Sequence, residues 1–474
     1  PYCHGAGHPS AGLPAPWQYG VPVPPALTRR PGRPSARLPR MSRMSREPQV
    51  CPRPGPGHPP AMDAHRRPLM DRTLPLLTEG YAWLPDRMRD SADRVVRTRL
   101  LGRPALAVRG PDAVRFFYDE AHVHRHGAVP APVLDTLFGQ GAVHTLDGDA
   151  HRARKELFLP LLDPERVAGL TEHVTAAWDE AVHDWSGRDR VVLFDEAGVV
   201  LTRGVCRWAG LPGEAVDAEP LARDLIAMVD GFAFPGPRHL RARRARSRQE
   251  ARTARLIEDV RSGAVTAPDG SVLERVARHR DAPDRPLDAR TAAVELLNVL
   301  RPTVAVSWFV AFSAHALHRW PAHRERLRAG DGAFATAFAH EVRRFYPFAP
   351  FLGGRVVTDL TWRGASVPAG GILLLDVYGQ NHDEDLWGDP YTFRPERFLD
   401  RPPGRDELIP QGGADPATGH RCPGERITVG LLEALAVRLA RLEYTVPVQD
   451  LRIPLRRIPT RPRSGFAVTG VRAP

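Results

Sequence analysis

From about Asp71 onward the apolar positions recur mostly at helical spacing, interrupted by two short β-rich patches. Val95–Leu100 and Ala105–Val108, separated by Leu101-Gly-Arg-Pro104, read as a β-hairpin. Gly110-Pro111 then opens a helix through Phe117, because a proline is harmless in the first turn, where its missing N–H would have no partner. From Pro164 to about Gln249 the pattern is helical, broken at 210–213 and 235–237. The second β-rich patch, Val356–Leu375, has turn residues at Gly364 and at 368–371 and predicts a small sheet. The longest helix is predicted from Asp288, a side chain suited to an N-cap, to about Trp320, which is close to 50 Å at about 1.5 Å per residue. Pro302 lies inside it and cannot donate to the Asn298 carbonyl, so that turn is expected to be distorted. The pattern as a whole predicts a mainly α fold with a small β region and no internal repeat.

Composition changes this picture at one end. The 474 residues, 42% of them hydrophobic, suffice for one enzyme-sized domain or two ordinary ones. A net charge of +11 would by itself point to nucleic acid or an anionic membrane. Residues 1–61, however, hold eight arginines against the single acid Glu47, so seven of the eleven excess positive charges sit there. That tract also carries 16 of the 49 prolines and has no apolar period, which predicts disorder. Two readings of it stay open: an upstream region translated by mistake, with the start near Met62 or Met70, or a disordered basic tail. The folded domain is expected over 70–474, and no nucleic-acid partner is expected. Cys3, Cys51, Cys206 and Cys422 form neither a disulfide framework nor a zinc spacing. The nearly apolar run Pro302–Leu317 is shorter than the roughly 18 residues a bilayer crossing needs, so a cytoplasmic protein without a membrane anchor is expected. Lys155 is the only lysine, a bias that reports GC-rich coding before it reports function.

Several residues carry candidate chemistry. Glu341 and Arg344, three apart on a predicted helix, can pair as carboxylate and guanidinium, although such pairs are ordinarily surface features. Downstream come Phe393-Arg-Pro-Glu-Arg397-Phe and then Gly419-His-Arg-Cys422-Pro-Gly424-Glu. Read alone, Cys422 fits a buried free thiol as well as a metal ligand. Arg301 is a cation in an otherwise apolar helix and needs an anion, supplied either by a protein carboxylate or by a ligand.

The order and spacing of these three motifs resemble the C-terminal signature of the cytochrome P-450 superfamily, and the resemblance runs from about residue 70 to the C-terminus. The acid–alcohol pair of conventional members is missing from the long helix. In its place, Leu297-Asn-Val-Leu-Arg301-Pro302 resembles the fatty-acid peroxygenase branch, as do Leu137-Phe138-Gly, Val143-His144-Thr-Leu-Asp-Gly148, Pro350-Phe-Leu352 and Ile409-Pro-Gln-Gly-Gly413. Asp415 and Thr418 stand where the usual cysteine loop has Phe and Gly, a departure from the conventional monooxygenases.

The resemblance implies a helical P-450 fold with a small β region around a buried b-type haem, iron protoporphyrin IX, in a bacterial enzyme. Cys422 is the implied iron ligand, and a helix starting beyond Gly424 is expected to help keep its thiolate ionised. His151, Lys155 and His420 are the implied partners of the haem propionates, with a solvated helix face the other reading of Lys155. Glu341, Arg344 and Arg397 are the implied buried network that holds the cysteine loop. Arg301, followed by Pro302, is implied to grip the carboxylate of a medium- to long-chain fatty acid, beside Phe138 and His144. The implied oxidant is hydrogen peroxide, with no redox partner required, and the implied products are 2- or 3-hydroxy acids or a terminal alkene. His144, an imidazole that ordinarily titrates near neutrality, is expected to bias the outcome toward decarboxylation, with hydroxylation the major product and the alkene a substantial minor one, and positioning haem or water is its other reading. The rival within the family is a conventional NAD(P)H/ferredoxin-dependent monooxygenase. A haem-based sensor or fatty-acid-binding protein without turnover is the rival from another class.

Overall fold

The computed structural model describes residues 70–213, 217–282 and 284–473, so the proline- and arginine-rich tract lies outside the described residues. The predicted hairpin forms with a tighter turn than the four-residue connection expected: Val95–Leu100 pairs antiparallel with Arg103–Val108, Leu100 facing Arg103, so Arg103 and Pro104 belong to the strand. Leu101 and Gly102 both have positive φ, 50° and 73°, the backbone of a tight two-residue turn that follows the right-handed strand twist. Ile372–Asp376 lies parallel to Arg103–Val108 and antiparallel to Phe351–Val356, and Val123–His124 closes the five-stranded sheet. Leu106, Val108, Leu373 and Leu375 fill one cluster beneath this sheet with Val114 and Phe117. Those last two sit on the helix Pro111–Tyr118, which begins at the predicted glycine–proline.

The rest is helical. Pro164–Trp185, Leu193–Ala209, Ala218–Asp230 and Pro237–Ser262 fill the predicted helical region, with the first of the predicted breaks following Ala209 at Gly210, in the left-handed conformation at φ 75°. The long helix is present as Ala289–Val304 and Val306–Arg319, and the Asp288 carboxylate accepts the Thr291 N–H as its cap. Leu193–Ala209 and Pro237–Ser262 pack on its first half, and Glu425–Arg441 and Gly332–Phe345 on its second. By length and composition this helix would cross a membrane, but 94% of its most apolar window is buried, which makes it the core of the domain. Leu297 and Phe312 are fully buried along it, each worth about 1.5–3 kcal/mol of transfer free energy.

The interruption does not fall at Pro302. The helix runs through the proline and changes at Ala305, where Trp308 N–H donates to the Ala305 carbonyl in a tighter i,i+3 turn. The Thr303 hydroxyl meanwhile donates to the Val299 carbonyl, 2.9 Å away, a side-chain bond that bends helices. The proline's defect is thus expressed one turn later than the missing N–H alone predicts.

Candidate active site

Cys422 lies in the loop that leads into helix Glu425–Arg441. The Gly424 N–H donates to its sulfur, and Gln411 Nε2 lies 3.8 Å from it. Burial nevertheless pushes the thiol up, and these donors together with Lys155 fail to reverse it. The help expected from the helix start is real, but desolvation outweighs it. A cation at sulfur is what would hold the thiolate, so the donor set suits metal ligation. Several ties hold the loop. Cys422 N–H donates to the Gln411 carbonyl at 3.1 Å, Arg421 pairs with Glu425 at 2.7 Å, and Arg343 pairs with Glu425 from the neighbouring helix Gly332–Phe345. Lys155, buried at the end of helix Gly148–Lys155, places its ammonium against the carbonyls of Gly419 and Arg421.

Glu341, Arg344 and Arg397 come together in the interior. Arg344 grips Glu341 with two bonds of 2.8 and 2.7 Å, and Arg397 Nε lies 3.1 Å from the same carboxylate. The remaining guanidinium N–H groups donate to carbonyls of Trp387, Asn381 and Pro390. This network therefore clamps the 381–397 segment, while the cysteine loop is tied by Lys155, Arg343 and Gln411.

On the other side of the loop, His151 and His420 stack with ring centroids 3.9 Å apart. His151 Nδ1 and His420 Nε2 are buried without a hydrogen-bond partner. Burial, His420 and Lys155 push His151 down to about 3. Asp147, 3.5 Å from His420, is largely spent on the N–H groups of Arg125 and His126, and Glu120 is the other acid nearby. The unpartnered His151 and a His420 that shares an already engaged Asp147, beside Lys155 and Arg125, form a corner with more donors than acceptors. A haem, with its two carboxylates, fits that corner as its iron fits Cys422.

Arg301, 6% exposed, faces this region from the central helix. Burial and the neighbouring Arg246 lower its pKa to about 9, and Cys422 is near enough to oppose the shift, so it is charged at neutral pH. Its NH2 donates to Asn298 Oδ1 at 3.2 Å, its Nε has no partner, and among the described residues no carboxylate pairs with it. The Phe138 ring lies 5.8 Å from the guanidinium carbon and 4.3 Å from the His144 ring. His144 is also orphaned at Nδ1, and burial, then Arg301, hold it near 3. It is therefore a neutral imidazole and does not titrate near neutrality as its residue type suggested.

Three residues that the sequence did not single out organise this side. Arg246, 2% exposed, donates to the carbonyls of Leu137 and Phe138 while paired to Glu250 at 2.6 Å. It presses so closely that a Cβ on Gly139 would stand 2.1 Å from its NH2, and Gly139 also has φ +88°. Arg154 pairs with Asp281 and, at 2.7 Å, with the fully buried Glu295. Glu295 had a visible signal, a lone acid one turn before Asn298 in an apolar helix. Arg154 and Arg246 had none, because arginine is everywhere in this chain.

With this geometry in view, the similarities to known proteins are specific. Residues 333–427, which hold the Glu341 pair, Arg397 and Cys422, match the family described as Cytochrome P450. Human cytochrome P450 4A11 is 29% identical over 184 residues, 34% of this chain and 33% of that protein, so the match spans about a third of that relative's length. The structure of cytochrome P450SP alpha, also solved in complex with (R)-ibuprofen, superposes with a TM-score of 0.82 at 40% identity, covering 85% of this chain and 99% of that one. Cytochrome P450EX alpha, solved with myristic acid, gives 0.81 at 35% identity, covering 86% and 98%. On this likeness over nearly the whole of those structures, the chain belongs to the cytochrome P450 family, on the fatty-acid peroxygenase branch that its Arg-Pro pair resembles, and is an oxidoreductase.

Proposed function

We propose that this enzyme uses hydrogen peroxide to oxidise medium- to long-chain fatty acids at the α or β carbon, with decarboxylation to a terminal alkene as a second outcome. The observation that carries this reading is Arg301, a buried cation with no carboxylate partner among the described residues. A fatty-acid headgroup supplies the missing anion, in the paired geometry that guanidinium and carboxylate favour. In support, the two similar structures were solved with myristic acid and with ibuprofen, both carboxylic acids.

The cofactor of this reading is haem b: Cys422 would hold its iron, His151 and His420, with Lys155 beside them, would face its propionates, and the group would pass the oxidising equivalents of hydrogen peroxide to a C–H bond. Arg301 binds and orients the substrate carboxylate. That carboxylate then serves as the acid–base group in place of the absent acid–alcohol pair, carrying a proton from one peroxide oxygen to the other. Pro302 fixes the backbone next to Arg301, and Phe138 packs against the acid site. His144, neutral and with a free ring nitrogen, offers one hydrogen bond at neutral pH without changing charge.

Mass spectrometry of products from a mixture of fatty acids tests the reading. Hydroxy acids or alkenes formed with hydrogen peroxide alone are expected. Product formed only with NAD(P)H, ferredoxin and reductase would establish the conventional monooxygenase instead, and spectral shifts without product would leave a binding protein.

A further inference from the structure

Glu295 has no part in the mechanism above, yet it is fully buried and takes three hydrogen bonds. Its Oε1 accepts from Arg154 NH1 at 2.7 Å and from the Val143 N–H at 2.8 Å, while Oε2 accepts from Asn298 Nδ2 at 3.1 Å. Asn298 Nδ2 donates also to the Phe138 carbonyl at 3.0 Å, and Asn298 Oδ1 accepts from Arg301. Glu295, Asn298 and Arg301 follow one another at intervals of three along a single helix.

We propose that Glu295 is a positioning residue: its carboxylate sets which way the Asn298 amide faces, and through that amide it holds the Arg301 guanidinium in place for a substrate carboxylate. The inference rests on the reading of Arg301 as the acid-binding cation.

The reasoning follows from donor and acceptor types. A carboxylate only accepts, a guanidinium only donates, and an amide has one end of each kind. With Glu295 on one side and Arg301 on the other, a single amide orientation satisfies both, NH2 toward the carboxylate and oxygen toward the guanidinium. The Phe138 carbonyl takes the second amide hydrogen and reinforces that choice. Glutamine at 295 keeps the size but not the logic. Two donors, Arg154 and Val143, hold its oxygen at the Oε1 place, so its NH2 meets Asn298. The asparagine then either turns, presenting NH2 to the guanidinium and losing Phe138, or keeps its orientation with two donors opposed. In both cases Arg301 loses its fixed partner. The same carboxylate anchors the Val143 N–H, one residue before His144, so one side chain registers the acid-binding cation against the segment that carries the imidazole.

The experiment uses the haem-loaded enzyme and measures dissociation constants by haem absorbance for a saturated fatty acid and for the primary alcohol of equal chain length. Glu295→Gln is expected to weaken the acid by about tenfold or more while leaving the alcohol unchanged. Asn298→Ala should do the same, and Glu295→Gln added to it should weaken the acid no further, because the carboxylate acts through that amide. Unchanged acid affinity in Glu295→Gln, equal loss for acid and alcohol, or full additivity in the double variant would each overturn the proposal. If Glu295→Gln does not take up haem, Asn298→Asp probes the same link. Its carboxylate occupies Arg301, so acid affinity must fall with alcohol affinity kept, and an unchanged acid affinity overturns the relay. A wild-type enzyme that fails to prefer acid over alcohol removes the Arg301 reading and this one with it. A wild type that prefers the acid beside an unaffected Glu295→Gln removes this one alone.

Discussion

Arg344 and Arg301 are both buried arginines of the same domain, and the protein completes one charge and leaves the other open. Arg344 meets Glu341 with two bonds and spends its remaining donors on backbone carbonyls. Arg301 has one amide oxygen and an orphaned Nε. Burying an ion costs several kcal/mol unless a partner and hydrogen bonds compensate. The Glu341 cluster carries its compensation inside the chain and so acts as scaffold. At Arg301 the compensation must come from a ligand, which turns the same physics into affinity for an anion.

The widest break in this contrast is at the sulfur. Cys422→Ala should abolish the thiolate-type Soret band of the carbon monoxide complex, and survival of that band would remove Cys422 as ligand. Next comes the completed charge. Glu341→Gln leaves two buried guanidiniums short of an anion and should lower the unfolding free energy by about 3–5 kcal/mol, read from denaturant titration of the holoenzyme. The open charge should behave oppositely. Arg301→Met should weaken fatty-acid binding by about 2–5 kcal/mol with no loss of stability, since it removes an unpaired cation and keeps the volume. A melting temperature that falls as far as in Glu341→Gln would erase the distinction between the two sites.

At neutral pH the smallest effect concerns His144. The fold holds its pKa near 3 against 6.5 in the unfolded chain, so the unfolded chain takes up a proton that the fold refuses. Its contribution to stability is full above about pH 6.5 and declines as pH falls toward 3, by at most about 1.4 kcal/mol per pH unit. His144→Gln should flatten that decline in a pH series of melting curves. In wild type the alkene-to-hydroxy-acid ratio should stay constant across neutral pH and change on substitution. A wild-type ratio that follows a titration near neutrality would show that the imidazole is not desolvated as described.

The architecture was legible in the residues to an uneven degree. The hairpin, the capped start at Asp288 and the helical run from Pro164 follow local rules, and they stand where those rules put them. The interruption of the central helix was displaced to Ala305, because the Thr303 hydroxyl and the turn at Trp308 redistribute a defect that the proline alone places at 302. Within the site, Glu341, Arg397 and Cys422 carried the resemblance to the cytochrome P-450 superfamily, and the oxidoreductase reading came with that resemblance. The supports of Arg301 were hidden, since Arg154 and Arg246 look like any other arginine in this chain.

What the amino-acid order determined by itself is whatever depends on neighbours along the chain: helix and strand periods, caps, turns, and the identities of Cys422, Arg301 and His144 at their motif positions. The tertiary structure decided their states. It left Arg301 without a carboxylate among the described residues, made His144 neutral, brought Lys155 onto the carbonyls beside the cysteine, and joined Glu295 to Arg154 from 141 residues away. The reason is that charge and hydrogen-bond orientation are set by desolvation and by the nearest donors and acceptors in space, which only the packed fold supplies.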